Sequence, residues 1–106
     1  MGAMPFHNWG FLYLGTGSED PATDRAVIDT GGLTTTVVAV PDHGSAVRVA
    51  QELVAAGAQS IELCGGFGPK VVAEVAAALE GKVPVGGVTY GVESVHALAA
   101  LFPRDE

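Results

Sequence analysis

The chain has 106 residues, enough for one domain and too few for a second. Hydrophobic residues make up 48% and charged residues 16%, so a core can form while few charges remain to cover the outside, and some apolar surface is expected to meet another copy. Twelve acidic against five basic side chains give a formal charge of −7 spread along the chain, which argues against nucleic acid and anionic membrane as partners, since each needs a basic face.

Gly, Pro or charge interrupts every apolar stretch well before the roughly 20 residues that span a bilayer, and no basic-then-apolar leader precedes them. The one cysteine, Cys64, cannot form an internal disulfide, which agrees with a reducing, cytoplasmic location. The opening Met-Gly-Ala-Met reads as a cloning remnant within a disordered start at 1–7, followed by a single α/β domain at 8–102 and a tail at 103–106.

Residues 8–15, NWGFLYLG, are apolar and aromatic over a strand's length and read as a first strand buried on both faces. In the connection that follows, Asp20 before Pro21 makes an N-cap and first helical residue, so 22–29 reads as two helical turns or as an ordered loop. Residues 33–40, LTTTVVAV, are rich in β-branched side chains and stop at Pro41, which makes a second strand. Within 44–56 the positions Ala46, Val49, Ala50, Leu53 and Val54 fall on one helical stripe, and Gly57 ends it. A third strand is expected at 59–64 and a second helix from Pro69, with Val71, Val72, Val75, Ala76 and Leu79 inward and Gly81 as its stop. A fourth strand at 83–90 is broken by Gly86-Gly87, and Glu93 or Ser94 caps a last helix whose Val95, Leu98, Ala99 and Phe102 face inward until Pro103.

Alternating strands and helices imply right-handed crossovers and a parallel sheet. The expected fold is α/β, with four parallel strands and three or four crossover helices, half-barrel-like or small and flavodoxin-like. Helices on one face only would leave the other face apolar, to be buried by self-association as a homodimer or higher oligomer.

In parallel α/β folds ligands meet the carboxyl ends of the strands, where helix N-termini and backbone N–H groups converge. Gly65, Gly66 and Gly68 either let the backbone approach a bound anion at the start of a helix or only supply a tight turn. Glu62 interrupts an apolar strand and is a candidate general base if it faces a lumen, or a rim carboxylate bonded to a backbone N–H. Cys64 beside the glycine turn is a candidate nucleophile or an inert small hydrophobe. His43 next to Asp42 could act as acid or base with an orienting carboxylate, yet Asp before a helix is commonly its cap. Arg25 could clamp a ligand's carboxylate or phosphate, or form a local ion pair, and Tyr90 and Glu93 lie where a fourth strand would deliver them. The spacing shows neither a dinucleotide fingerprint nor a P-loop, and one cysteine with three scattered histidines has no metal-ligand spacing, so no cofactor and no metal are expected.

Taken together, FLYLG, DRAVIDTGG, ELCGGFGP and VPVGGVTYGVES resemble a family of small bacterial proteins of unknown function whose members share a signature close to ELCGGFGP. The resemblance runs over 8–102 and implies a small α/β domain occurring by itself, with no reaction attached. It adds positions 24, 25, 29–32 and 62–69 to the candidate site. Two functions compete: a binder of a small anionic metabolite at the strand ends, acting as a lyase or isomerase through Glu62 and Cys64, or a non-catalytic oligomeric module whose glycines are structural.

Overall fold

A computed structural model describes residues 5–102. Its elements run β1 (Asn8–Leu14), β2 (Arg25–Thr30), β3 (Leu33–Val40), α1 (Ala46–Ala55), β4 (Ile61–Leu63), α2 (Gly68–Ala78), β5 (Val85–Gly87) and α3 (Val95–Leu101). The strands form a single sheet in the order β2-β3-β1-β4-β5. β1 pairs in parallel with β3 and β4, and β4 with β5, while β2 is antiparallel to β3. The mixed α/β class with a largely parallel sheet is therefore as expected; the supposed cloning remnant at 1–4 and the tail at 103–106 lie outside the described residues. Among the described residues no helix is long and apolar enough to cross a membrane.

The first connection departs from the expected pattern. The Asp20 cap forms: its Oδ1 accepts from Ala22 N at 3.0 Å and its carbonyl from Asp24 N at 2.7 Å. That turn ends after one cycle, and the chain continues as β2 rather than as a helix. Gly31 and Gly32 then reverse it with φ of 63° and 81°. Positive φ at both central residues is what a two-residue type I′ hairpin turn needs, and Thr30 and Leu33 close it as a facing pair. A β-hairpin thus stands where a crossover helix was one option.

The half-barrel reading fails on strand order. Successive barrel strands would be neighbours in chain order, whereas β1 lies between β3 and β4. The flavodoxin-like reading is not met exactly, because α1 and α2 share one face and among the described residues no helix covers the other. A Cβ on Gly10 would lie 2.6 Å from Leu53 Cδ1 of α1, and one on Gly87 2.6 Å from Val72 Cγ2 of α2. The register carries Leu12 beside Leu63 and Leu63 beside Gly87, which puts Gly10 and Gly87 on the same side of the sheet. Both glycines allow a helix to approach closer than any side chain would permit.

Between these layers sits the core. Leu12, Val38, Val40, Ile61 and Leu63 of the sheet are fully buried against Val49 and Leu53 of α1, Val71 and Val75 of α2, and Leu79 at its end. Burial of each such side chain contributes about 1.5–3 kcal/mol of transfer free energy. Among the described residues the opposite face, with Trp9, Phe11, Tyr13, Val37 and Glu62, carries no helix. Trp9 and Phe11 meet edge to face there at 6.4 Å, and Trp9 Nε1 donates to Thr35 Oγ1 at 2.7 Å.

The strands β4 and β5 are shorter than the apolar runs that contain them, at three residues each, and α1 is preceded by a 3₁₀ turn at His43–Ser45. The last helix is a second correction. Its Val95-Leu98-Ala99-Phe102 stripe is amphipathic as expected, yet α3 buries no residue, and Phe102 is 74% exposed. The covered face above β5 is already occupied by α2, so α3 projects past the strand ends with only Leu98 half-buried.

Candidate functional site at the strand ends

In an open parallel sheet the crevice for a ligand lies outside the carboxyl ends of two strands whose connections leave in opposite directions. Here those strands are β1, whose connection runs toward β3, and β4, whose connection runs toward β5. Beyond their ends opens a groove of about 750 Å³, lined by Leu14, Cys64, Gly65 and Gly66 on one side and by Tyr90 and α3 on the other.

Backbone geometry builds its floor. Cys64 N donates to Leu12 O at 2.9 Å, extending the β1–β4 ladder past the last strand residue, and Phe67 N donates to Cys64 O at 3.2 Å to close the turn. Gly68, with φ of 79°, starts α2 directly afterwards, and no side chain caps that helix. Leu14 N donates to Cys64 Sγ at 3.2 Å, which ties the two strand ends together. A Cβ on Gly65 would lie 3.2 Å from the Tyr90 ring and one on Gly66 3.3 Å from Leu14 Cβ, so close approach explains these two glycines. Among the described residues the amide groups of Gly65 and Gly66 have no hydrogen-bond acceptor.

The structure therefore brings Cys64, Gly65, Gly66 and Tyr90 together. Gly68 borders an adjoining groove of about 450 Å³ between α2 and residues 88–90. His43 reaches the turn from behind, with Nε2 3.3 Å from Gly66 O and its ring 5.9 Å from that of Phe67. Asp42 does not orient it: Asp42 Oδ1 accepts from Ser45 N at 2.9 Å and from Ser45 Oγ at 2.8 Å, which is a cap. Glu62 lies on the helix-free face beside Phe11 and Gly86 and borders a different hollow, so it does not meet Cys64. Strand alternation alone would set residues two apart on one face; they part because β4 ends at Leu63 and Cys64 already lies beyond the strand. Arg25 is engaged, with Nε on Pro21 O at 2.7 Å and two donors on the Glu52 carboxylate at 2.8 and 3.2 Å. Glu93 sits in an exposed 3₁₀ turn over Gly91 and does not line the groove.

Sequence reasoning passes over Glu19. Its carboxylate folds back along the loop after β1 and accepts from Thr16 N at 2.7 Å, Gly17 N at 2.9 Å and Thr16 Oγ1 at 2.9 Å. The Thr16 amide, and then that of Gly17, hold the carboxyl at about 2, well below its usual range. An acidic residue two positions after Gly17, in GTGSE directly after a strand, is the signal that could have found it. Leu14 and the α3-side residues Val95, Leu98, Ala99 and Phe102 also line the groove and are absent from a reading that weighs polar strand ends alone. Among the described residues no three His, Cys, Asp or Glu side chains converge as metal ligands would.

Fold and groove together define a two-layer α/β domain, with α1 and α2 on one face of the sheet and a groove at the strand ends. The chain belongs to DUF6506, a family of unknown function, which matches residues 7–103. Neither a curated protein nor a solved structure matches it.

Proposed function

We propose that the chain binds a small molecule with an apolar body and an anionic end in the groove beyond β1 and β4. The carrying observation is the groove's composition: apolar walls from Leu14, Leu98 and Phe102 meet the unpartnered amide groups of Gly65 and Gly66 at the start of α2. Such amides and the helix dipole suit a carboxylate or phosphate, and the walls suit a hydrocarbon portion. Lyase or isomerase chemistry needs an acid and a base on one ligand. Glu62 lies in another hollow and the groove offers only Cys64 and Tyr90, so binding is better supported than turnover.

Thermal unfolding with octanoate and with inorganic phosphate tests this reading. Octanoate at about 100 times its dissociation constant would stabilise the native state by about 2.7 kcal/mol. It is expected to raise Tm, phosphate to have a smaller effect, and Gly65→Val, which drives a side chain toward Tyr90, to abolish the octanoate response. An equal response in the variant, or none in the wild type, sinks the proposal.

A second reading, self-association, is favoured by the helix-free face, where Tyr13 and Ile28 are exposed beside Trp9 and Phe11.

A further inference from the structure

The two edges of the sheet are built differently. The β5 edge is three residues long, two of them glycine, and follows Pro84, which leaves little backbone for another strand. The β2 edge runs Arg-Ala-Val-Ile-Asp-Thr over six residues, with no proline, no lysine and no bulge, and both Val27 and Ile28 are more than half exposed. Sheet proteins commonly blunt such an edge, and this one is left open.

Its hairpin determines which backbone groups point outward. Ala39 N donates to Asp24 O at 2.9 Å, and Thr30 faces Leu33 across the two-residue turn. Even-numbered residues of this segment therefore exchange hydrogen bonds with β3, while Arg25, Val27 and Asp29 direct their N–H and C=O groups away from it.

We propose that β2 pairs antiparallel with β2 of a second copy, centred on Val27, so that the two sheets become one. This gives the self-association reading above a defined surface, and it rests on that reading. The centred register uses the outward groups of all three odd-numbered residues, for about six hydrogen bonds between copies. It sets Arg25 across from the partner's Asp29, and Asp29 across from the partner's Arg25. On the other side of the ribbon it sets Ala26 across from the partner's Ile28, apolar against apolar. No neighbouring register does the same. Centring on Ala26 or Ile28 leaves a charge across from valine, and centring on Arg25 or Asp29 places like charges face to face, which is destabilising. Arg25 spends one donor on Pro21 and two on Glu52, so its remaining guanidinium hydrogens can serve the partner's carboxylate.

Light scattering across a concentration series reads the mass, and the expected wild-type species is a dimer. Val27→Pro removes an N–H that points away from β3, so the hairpin and the circular dichroism spectrum are expected to persist while the dimer is lost. Asp29→Lys sets like charges across both ends of the pairing and is expected to raise the dissociation constant roughly tenfold or more. In a Cys64→Ser background, Val27→Cys is expected to cross-link under mild oxidation and Asp29→Cys not to, because residue 29 would lie about 14 Å from its own counterpart. A monomeric wild type overturns the proposal together with the self-association reading. A dimer that survives Asp29→Lys with unchanged affinity, or that cross-links equally at both positions, overturns the β2 pairing alone and moves the interface to another face; these two arms decide the matter even if Val27→Pro fails to fold.

Discussion

The sheet has one face that is finished and one that is not. On the helix side the register sets leucine beside leucine and glycine where a helix must come close, and Leu12 and Leu63 are sealed to 0% exposure. On the other side Tyr13 is 42% exposed although it belongs to the same strand as Leu12. One strand can serve both environments because successive side chains alternate, so the difference in packing originates in the layers and not in strand propensity. The contrast predicts unequal truncation costs. Leu63→Ala should destabilise the chain by about 2–5 kcal/mol, since the residue is enclosed and a cavity would remain. Phe11→Ala removes more atoms from a half-buried site, yet it should cost clearly less, because water already reaches that ring. Urea unfolding of both variants is the check, and a Phe11→Ala penalty equal to that of Leu63→Ala would mean that something covers the helix-free face in solution.

Glycines sharpen the same contrast without changing hydrophobic content. Gly10 faces α1, where a new Cβ would meet Leu53 at 2.6 Å, while Gly86 faces the open side with nothing within 4 Å. Gly10→Val must therefore displace a packed leucine and is expected to cost about 1–3 kcal/mol. Gly86→Val adds a β-branched side chain to an edge strand with room for it, and its effect should stay within about 0.5 kcal/mol of zero or be stabilising. If both substitutions lower the chemical denaturation midpoint alike, the helix layer does not control the approach at Gly10.

Sequence legibility followed physical locality. β1 and β3 are readable almost to the residue, because long apolar or β-branched runs leave little choice of conformation. The two stripes of α1 and α2 are readable for the same reason. β2 is obscured by a true turn signal: Asp20 and Pro21 do start a helical turn, and nothing local says that it stops after one cycle. The Thr30-Gly31-Gly32-Leu33 signal between two β-branched runs marks the hairpin once it is weighed against that start. The stripe on α3 shows that the helix has an apolar side, but a spacing rule carries no information on whether a surface lies under it. At the site the glycine turn is legible because glycine next to a helix start has few purposes. The separation of Glu62 from Cys64 is not, because alternation sets residues two apart on one face and only the end of β4 at Leu63 parts them. The contribution of α3 to the groove is not, since it depends on where a helix lands after β5.

The smallest expected effect concerns the loop that partly covers the open face. The connection after β1 folds over Ala39, which register places beside Tyr13 and which is nonetheless buried, and Glu19 holds that loop through the amides of Thr16 and Gly17. Its folded carboxyl titrates at about 2 against an ordinary 4.5, so the ionised form is favoured by the native state. For a depressed carboxyl the stabilisation is complete above the unfolded value and is lost as pH falls through the folded one, here between about 4.5 and about 2. Glu19→Gln should thus be slightly less stable than the wild type at neutral pH, with the gap closing across that acid window as the wild-type carboxyl takes up its proton. Exposure to solvent keeps the neutral-pH gap small. Denaturation of both proteins at several pH values reads the convergence directly. A constant offset through the window would show that the loop amides do not hold the charge, and the cover over Ala39 would then owe its place to the turn at Asp20 instead.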